Sequence, residues 1–418
     1  MTVINFAYDY EVLDSNQDRY FRNVYDNKFY PVNGLYDDCY YDYHAPLQTV
    51  FDINGVPTKS ITLKTALSNN ETFVYVLTFR YLAGTLNNLD NHNIFEHIPV
   101  GLIKAINSGR CLLILNDAHE CHYYTLDFYS VLQNRLDQVG INFNNVLLLT
   151  GNNSNEVNPD INIKILVWQF YETAMRMVSS KNPIGNVTRN TETNSLKKFL
   201  CLNRIPRETR YWFMYHMYKN KLLGDFNASL DKVNDINDIV SHHHGVFLNE
   251  IKDDPDFSNM MSTLPWIVDT EEFKINHWES QNHSFATNNI IFITTETLFF
   301  KGITELFLTE KTFKPIALKM PFIMVGTRGI LGKLREMGYI TFNKLWDESY
   351  DDEIDPRIRM QKIVSLVQDI ATKYSTKELS DLIMANNDIL EHNYNLLMSR
   401  RPETEIIKYI KEYTCVYQ

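Results

Sequence analysis

Short apolar runs rich in β-branched residues recur along the chain, each followed by polar turn residues and then by a longer stretch with helical spacing. This alternation is typical of βα units, in which parallel strands form a sheet that helices cover. In the first half the pattern predicts helices at Asn91–Ser108 and Thr125–Gln138. It predicts strands at Val3–Phe6, Phe73–Thr78, Cys111–Leu115, Asn145–Leu149 and Lys164–Trp168.

A polar segment divides this pattern into two halves. Ser179–Asn194 is rich in Ser, Asn, Thr, Pro and Gly and has no apolar periodicity, which makes it the best candidate for a linker. Beyond it the pattern predicts strands at Lys198–Leu202, Asn289–Thr294, Phe322–Val325 and Tyr339–Phe342. It predicts helices at Glu208–Lys221, Thr312–Leu318, Ile330–Met337 and Pro356–Lys373.

We therefore expect an α/β protein with two Rossmann-like domains, residues 1–185 and 196–418, whose parallel sheets face a central cleft. The last helices could pack back on the first domain. Ligands of such sheets bind beyond the carboxyl ends of the strands, and in two-domain proteins they bind in the cleft.

Composition and length exclude several classes of protein. The chain has 418 residues, is 44% hydrophobic and carries a formal charge of -11, so it is neither a small disulfide-stapled module nor a protein that coats polyanions. Its five cysteines are far apart and include no C-x-x-C, which indicates reduced thiols. Because no apolar run approaches ~18 residues and no signal peptide is evident, we expect a soluble, cytoplasmic protein without a membrane partner.

The most informative stretch for chemistry is Leu308–Gly326, LTEKTFKPIALKMPFIMVG. Thr312 could cap a helix whose first turn holds Lys314, and a helix N-terminus attracts anions. Lys311 and Lys314 would then form a diphosphate pocket, and the Glu310 carboxylate could accept hydrogen bonds from ribose hydroxyls. The alternative is an ordinary capped helix with a surface ion pair.

This stretch resembles the donor-binding motif of GT-B glycosyltransferases related to fucosyltransferases. The wider order, KKFLCLNRIPRETR, then FLTEKTFKPIALKMPFIMVGTRGILGKLREMGYITF and WDESYDD, resembles a group of bacteriophage-encoded glycosyltransferases. Some relatives of that group glycosylate hydroxymethylated pyrimidines in phage DNA, including with arabinose. The resemblance covers roughly residues 197–373.

The resemblance implies roles for individual residues. It places Glu310 on the donor ribose and Lys311 on the diphosphate, with Thr312 and Lys314 beside them. Three residues after the first strand of the second domain would face the same diphosphate: Asn203, Arg204 and Arg207. A guanidinium fork suits phosphate oxygens and the charge that develops on a departing nucleoside diphosphate. Phe307 could contact the nucleobase or belong to the core.

The same resemblance implies a nucleoside diphosphate sugar, with UDP favoured, as co-substrate and no other cofactor or metal. The basic stretch 176–221, which has ten Lys or Arg and two acids, could contact the phosphates of double-stranded DNA. The N-terminal segment, with nine tyrosines between Tyr8 and Tyr43, could stack on an extruded modified base. Both features also have ordinary structural explanations, as solvated helix faces and as core.

An inverting transferase needs a base for the acceptor hydroxyl. The apolar run CLLIL ends in Asn116-Asp117-Ala118-His119-Glu120, which places acids and an imidazole at the carboxyl end of a central strand. Asp117 is our first candidate, and His119 and Glu120 are its competitors. Asp9, just past the first strand, is a more distant alternative.

Signals for other chemistry are weak. His119, Cys121 and His122, and the cluster His242–His244, lack a second ligand pair at zinc spacing. Asp347, Glu348 and Ser349 of WDESYDD could border the donor site or form a solvated loop. The chain has no P-loop, no G-x-G-x-x-G after a strand and no G-x-S-x-G, which disfavours NTPase, dehydrogenase and serine hydrolase functions.

The sequence thus predicts a metal-independent glycosyltransferase, with a hydroxymethylated pyrimidine in DNA as the suspected acceptor and arabinose or another simple sugar as the group transferred. A glycan or lipid-linked acceptor is the alternative within this class. A non-catalytic DNA-binding module on a degenerate transferase fold is the alternative from another class.

Overall fold

A computed structural model gives the fold as two compact units. One contains Met1–Phe170 together with Arg401–Gln418, and the other contains Tyr171–Arg400. Within these limits the structure describes residues 3–8, 10–15, 18–23, 29–31, 44–78, 93–118, 126–153, 162–189, 196–203, 205–239, 246–268, 282–300 and 306–416. Strands and helices are numbered below in chain order.

The first unit contains a six-stranded sheet in which all neighbouring strands are parallel. Its strands are β1 (Ile4–Tyr8), β5 (Thr58–Thr62), β6 (Phe73–Thr78), β7 (Cys111–Asp117), β8 (Val146–Thr150) and β9 (Lys164–Val167). They lie in the order β5-β1-β6-β7-β8-β9, so the chain proceeds first to one side of β1 and then to the other. This is a doubly wound arrangement.

Helices of the first unit cover this sheet with apolar faces. They are α1 (His44–Ile53), α2 (Leu63–Ser68), α3 (Val100–Asn107) and α4 (Leu126–Gln138), with a 3₁₀ turn at Ile94–His97. The predicted helix Asn91–Ser108 is therefore wrong as one element. Pro99 precedes α3, and because its ring disfavours helical backbone in the residue before it, the 3₁₀ turn and α3 are separate.

A small antiparallel sheet near the N-terminus was not predicted. It pairs β2 (Tyr10–Ser15) with β3 (Asp18–Asn23), and β3 with β4 (Phe29–Pro31). The tyrosine-rich segment therefore contains strands, and its remaining residues, including Asp9, lie outside the described part of the chain.

The second unit repeats the doubly wound arrangement with four parallel strands. They are β10 (Lys197–Asn203), β11 (Phe226–Leu230), β12 (Asn289–Thr295) and β13 (Phe322–Val325). The order is β11-β10-β12-β13, and β12 is buried along its whole length. The two sheets confirm an α/β protein with two Rossmann-like units.

Helices of the second unit surround the sheet and continue beyond it. They are α5 (Phe170–Lys181), α6 (Glu208–Lys219), α7 (Val246–Ile251), α8 (Pro255–Ser262), α9 (Ser284–Asn288), α10 (Glu310–Ala317), α11 (Ile330–Glu336), α12 (Pro356–Lys373), α13 (Thr376–Met384) and α14 (Asn387–Ser399). Asp355 caps α12 ahead of Pro356, and Ser375 with Glu378 forms a capping box on α13. The predicted aromatic residues of α6 pack in the core, with Trp212 and Tyr215 buried.

The strand predicted at Tyr339–Phe342 does not form. The Ile340 N–H donates to Asn393 Oδ1 at 2.8 Å, and Asn393 Nδ2 donates to the Ile340 carbonyl at 2.8 Å. The side-chain amide on α14 thus satisfies both backbone groups that a neighbouring strand would otherwise have bonded.

The boundaries of the units differ from the predicted linker. α5 clusters almost entirely with the second unit, although the sequence placed it before the boundary. The last helix, α15 (Thr404–Val416), clusters with the first unit, where the buried Tyr413 hydroxyl lies 2.9 Å from the carbonyl oxygens of Gly109 and Cys111.

In the part of the chain that the structure describes, no helix has both the length and the apolar character needed to cross a membrane.

Candidate functional site

The winding of the second sheet indicates where a ligand would bind. β10 is the first strand of this sheet, and the chain continues to β11 on one side and to β12 on the other. A crevice forms where strand order reverses in this way, beyond the carboxyl ends of the two strands. Asn203 ends β10 and Thr295 ends β12, and the Thr295 hydroxyl donates to Asn203 Oδ1.

A buried carboxylate follows β12 directly. Glu296 is only 2% exposed, and its own N–H donates to the carbonyl of Val325 at the end of β13. Its two carboxylate oxygens accept hydrogen bonds from the hydroxyls of Thr309 at 2.7 Å and Thr312 at 2.5 Å. A Cβ added at Gly326 would lie 3.2 Å from Glu296 Cβ, so the glycine allows the two segments to approach. Glu296 therefore joins the ends of β12 and β13 to the start of α10.

The helix α10 begins earlier than the sequence predicted. Its N-cap is Thr309, whose hydroxyl accepts from the Lys311 N–H at 3.2 Å, so the prediction of Thr312 as the cap is wrong. Thr312 instead lies in the first turn with its hydroxyl directed to Glu296. Glu310 and Lys311 thereby become the first two residues of the helix, where the helix dipole favours anions.

Pro315 lies inside this helix and has no N–H to donate to the Lys311 carbonyl. The Thr294 hydroxyl, from β12, lies 3.4 Å from that carbonyl oxygen and donates a long hydrogen bond to it. The contact fixes the first turn of α10 against the carboxyl end of β12.

Glu310 and Lys311 form an ion pair, with Lys311 Nζ 2.5 Å from Glu310 Oε1. Burial raises the pKa of Glu310, but the charge and hydrogen bond of Lys311 and the charge of Lys314 outweigh burial, so the pKa lies below its usual value. Glu310 and Lys311 keep 19% and 30% of their side-chain surface exposed. Glu310 is therefore an ionised carboxylate that, like its partner Lys311, keeps part of its surface exposed.

Two arginines extend this site from the N-terminal end of α6. Arg207 is half-buried at the N-cap position, and Arg210, one turn later, is 3% exposed. Arg210 donates to the carbonyl of Ile205 at 2.8 Å and, more weakly, to that of Thr295 at 3.4 Å. Burial, followed by the charge of Arg207, lowers the pKa of Arg210 to about 10. Arg204 lies outside the described residues.

The predicted donor residues thus come from two places along the chain. Asn203 lies at the end of β10, and Glu310, Lys311, Thr312 and half-buried Lys314 lie on α10. A link between these groups runs through Thr295, which donates to Asn203, and Thr294, which contacts the Lys311 carbonyl. The sequence missed three contributing residues: Thr295, Glu296 and Arg210. Their only sequence signal is that polar residues directly follow an apolar strand or share a helix face with Arg207.

Phe307 belongs to the core of the second unit. It is 7% exposed, and its ring meets that of Tyr171 edge-on at 6.0 Å between centroids.

The base candidates lie in the first unit. Asp117 is the last residue of β7, opposite Thr150 of β8, and is fully buried. Asn116 beside it donates to the Thr78 hydroxyl at the end of β6. Polar side chains therefore line the carboxyl edge of this sheet as well. His119 and Glu120 lie outside the described residues.

The acidic loop WDESYDD is partly solvated, with Asp347, Ser349 and Asp352 exposed, and its buried acids support α11. Buried Asp351 accepts hydrogen bonds from the Leu331 N–H at 3.1 Å and the Gly332 N–H at 2.9 Å. Buried Glu348 accepts from the Phe342 N–H at 2.7 Å and from Arg335 at 3.2 Å. Asp347 bonds Ser349 of the same loop.

No group of three potential metal ligands occurs among the residues that the structure describes. His119, Cys121, His122 and the His242–His244 cluster are outside them.

Much of the positive charge in the stretch 176–221 is internal. Of the nine basic residues of this stretch that the structure describes, four are buried: Arg176, Arg189, Lys198 and Arg210. Backbone carbonyls accept their hydrogen bonds, as for Lys198 Nζ and Ala371 at 2.7 Å and for Arg189 Nε and Asn289 at 3.1 Å. These four side chains therefore do not form an exposed positive face along which a DNA backbone could lie.

No protein-family model matches this chain, and a comparison with curated proteins finds no match either.

Proposed function

We propose that the protein is a glycosyltransferase that moves a sugar from a nucleoside diphosphate to a hydroxyl, and that its second unit binds the nucleotide. One observation carries this proposal. The N-terminal turn of α10, with Glu310 and Lys311, is fixed by hydrogen bonds to the carboxyl end of β12, beside the reversal of strand order at which doubly wound sheets bind ligands.

The residues at this crevice suit a nucleoside diphosphate. Lys311, Lys314 and the positive end of the α10 dipole would bind the diphosphate, and Arg207 at the N-cap of α6 would join them, as would Arg204 on the resemblance. The ionised Glu310 would accept hydrogen bonds from the two ribose hydroxyls. When the sugar leaves, these cations would stabilise the charge that develops on the diphosphate. Balance of charge by side chains is the reason that no metal is part of the proposal.

The finer identity of the substrates comes from the resemblance to phage-encoded transferases. UDP is the favoured nucleotide, arabinose or another simple sugar the group transferred, and a hydroxymethylated pyrimidine in DNA the suspected acceptor. A glycan or lipid-linked hydroxyl is the alternative acceptor. Burial of four Lys and Arg side chains in the stretch 176–221 favours this alternative acceptor, because it leaves fewer positive charges for DNA phosphates.

The acceptor hydroxyl would lose its proton to a residue of the first unit. Asp117 is the first candidate, with His119 and Glu120 as its competitors. Asp117→Asn should lower turnover at saturating donor and change its pH profile. Full turnover with an unchanged profile would eliminate Asp117 and favour His119 or Glu120.

The proposal is tested by offering UDP- and GDP-sugars with hydroxymethylated DNA and with free glycans, and by measuring release of the nucleoside diphosphate. We expect release that depends on one donor and one acceptor class. If DNA is the acceptor, binding should weaken steeply as salt rises. No release with any pair would overturn the proposal.

Variants of the donor site make the test specific. Lys311→Met should lower kcat by about 100-fold, because a cation that stabilises the leaving group is lost. Glu310→Ala should act mainly on donor KM, by about tenfold, because ribose hydrogen bonds are lost. Lys333→Met and Glu336→Ala, a surface pair on α11, are the matched controls and should keep full turnover. Full activity of the Glu310 and Lys311 variants would contradict the proposed site.

A further inference from the structure

Four arginines of the second unit are almost completely buried: Arg176, Arg189, Arg210 and Arg359. Arg189, Arg210 and Arg359 share one feature. Among the described residues, none of them has a carboxylate within ion-pair distance, and each has one guanidinium nitrogen without a hydrogen-bond partner. A buried charge without a counter-ion is unfavourable, and each such group calls for an explanation. Binding of an anionic ligand is one explanation, and a purely structural role is the other.

Arg210 and Arg189 lie at opposite edges of the second sheet. Arg189 bonds the carbonyl of Asn289, the first residue of β12, and so lies at the amino edge of the sheet. Arg210 bonds the carbonyl of Thr295, the last residue of the same strand, at the carboxyl edge. Only the carboxyl edge of a doubly wound sheet forms a ligand crevice.

Arg359 differs from Arg210 because an aromatic ring lies against its guanidinium. The guanidinium of Arg359 lies over the ring of Phe299 at 4.5 Å and bonds the carbonyls of Glu353 and Phe299. An aromatic face supplies part of the negative potential that this cation requires. No cation–π contact is found for Arg210 in the described part of the chain.

The hydrogen bonds of Arg210 leave one edge of its guanidinium underused. Nη1 makes a good bond to the Ile205 carbonyl at 2.8 Å, whereas Nη2 is 3.4 Å from the Thr295 oxygen and Nε has no partner. The Nε–H and one Nη2–H are parallel, which is the geometry that binds two oxygens of a phosphate. The neutral carbonyl of Thr295 is a weak competitor for that edge.

The surroundings also select for a multiply charged anion. Arg207 lies one turn away on α6, and its like charge acts on Arg210. Of the nearby carboxylates, Glu296 accepts from two threonines and Glu310 pairs with Lys311. Both are thus already bonded, and an anion carrying more than one negative charge would offset the two arginines together.

We infer that Arg210 is a direct ligand of the donor diphosphate, binding two phosphate oxygens through its Nε–Nη2 edge. This rests on the proposed function, since it assigns one more residue to the same nucleotide site. Arg210 would hold the phosphate against the ends of β10 and β12, while Lys311 approaches from α10.

The test compares Arg210→Met, Arg210→Lys and the matched control Arg189→Met by isothermal titration with inorganic pyrophosphate and with UDP. Arg210→Met should weaken both ligands by about 10- to 100-fold, because a charge-assisted pair of hydrogen bonds is lost. Arg210→Lys keeps the charge but loses the fork, so a loss of about tenfold is expected. Arg189→Met should change affinity by less than about twofold, whatever its effect on stability.

Uridine separates a phosphate contact from a general disturbance of the site. Its binding, followed by ligand-observed NMR, should be the same in the wild type and both Arg210 variants. Equal weakening of uridine and UDP would overturn the inference, as would unchanged pyrophosphate affinity in Arg210→Lys. Failure of the wild-type protein to bind either UDP or pyrophosphate would instead overturn the proposed function itself.

Discussion

At the scale of single residues, the buried Glu296 organises the start of α10. Its carboxylate accepts the hydroxyl protons of Thr309 and Thr312, and the Thr309 oxygen is then directed to the Lys311 N–H. In Glu296→Gln one carboxylate oxygen becomes an NH₂ group, which cannot accept a hydrogen bond from a threonine hydroxyl. We expect a loss of about 1–3 kcal/mol in the free energy of unfolding, measured by urea denaturation.

Thr312→Val provides the matched test of that contact, because valine has the shape of threonine without its hydroxyl. In a double-mutant cycle the two changes should cost less together than the sum of the single changes, with a coupling of at least about 0.5 kcal/mol. Strict additivity would contradict the direct bond between Thr312 and Glu296.

Some residues of the candidate site could be predicted from the sequence and others could not, and the difference has a physical reason. Glu310, Lys311 and Lys314 are close together in the chain, so their joint position at a helix start could be predicted. Glu296 meets Thr309 and Thr312 only because the chain returns to the end of β12 after a connection of more than ten residues. Such long-range contacts have no fixed spacing and leave no local pattern.

At the scale of elements, α6 contains a histidine that folding keeps neutral. The His216 ring lies 3.9 Å from that of Trp212, and burial, with the charge of Lys219, lowers the pKa of His216 to about 4, although Asp254 opposes this. The unfolded chain, with an ordinary pKa near ~6.5, therefore binds more protons between these values. Stability should fall as the pH falls from about 6.5 to 4.

The imidazole is partly exposed, so we expect this group to contribute a loss of about 1–2 kcal/mol over that interval. His216→Gln removes the titration, and its unfolding free energy should fall less steeply with pH than that of the wild type. Above about pH 7.5, where the imidazole is neutral in both states, the two curves should run parallel. Equal slopes below pH 6.5 would show that His216 does not control this dependence.

Strands with apolar sequences were predicted, including the edge strands β9 and β13, whereas two polar edge strands were missed. The central strands β7, β8, β10 and β12 are continuous apolar runs, as parallel strands with two covered faces must be. The edge strands β5 (TKSIT) and β11 (FNASL) are largely polar and only partly buried, so their sequences resemble loops. The run at Tyr339–Phe342 is buried apart from Ile340, but Asn393 on α14 bonds the Ile340 backbone in place of a strand partner.

At the scale of the whole molecule, the local excess of basic residues in the sequence did not predict where positive charge lies on the surface. The stretch 176–221 suggested a positive face, yet Arg176, Arg189, Lys198 and Arg210 bond carbonyls inside the second unit. Long cationic side chains can bridge backbone acceptors in a core, and composition does not distinguish this from a binding surface. The positive charge on which the proposed function depends is that of Arg207, Lys311 and Lys314, near the carboxyl end of the second sheet.

The two units have separate cores, and this leads to a prediction about their stability. The large core cluster of the first unit runs from Ala7 to Ile163, and that of the second from Met175 to Leu397. α15, from the end of the chain, belongs to the first unit, where the Tyr413 hydroxyl can donate to the Gly109 or Cys111 carbonyl. Tyr413→Phe removes that buried donor and should destabilise the first unit by about 1–2 kcal/mol.

Hydrogen exchange can locate this effect. Backbone amides of β7 and β8 should exchange faster in Tyr413→Phe, whereas those of β10 and β12 should be unchanged, because compact units with their own cores open separately. Binding of pyrophosphate, which we place entirely in the second unit, should keep its wild-type affinity. Faster exchange in all four strands would mean that the two units unfold as one cooperative body.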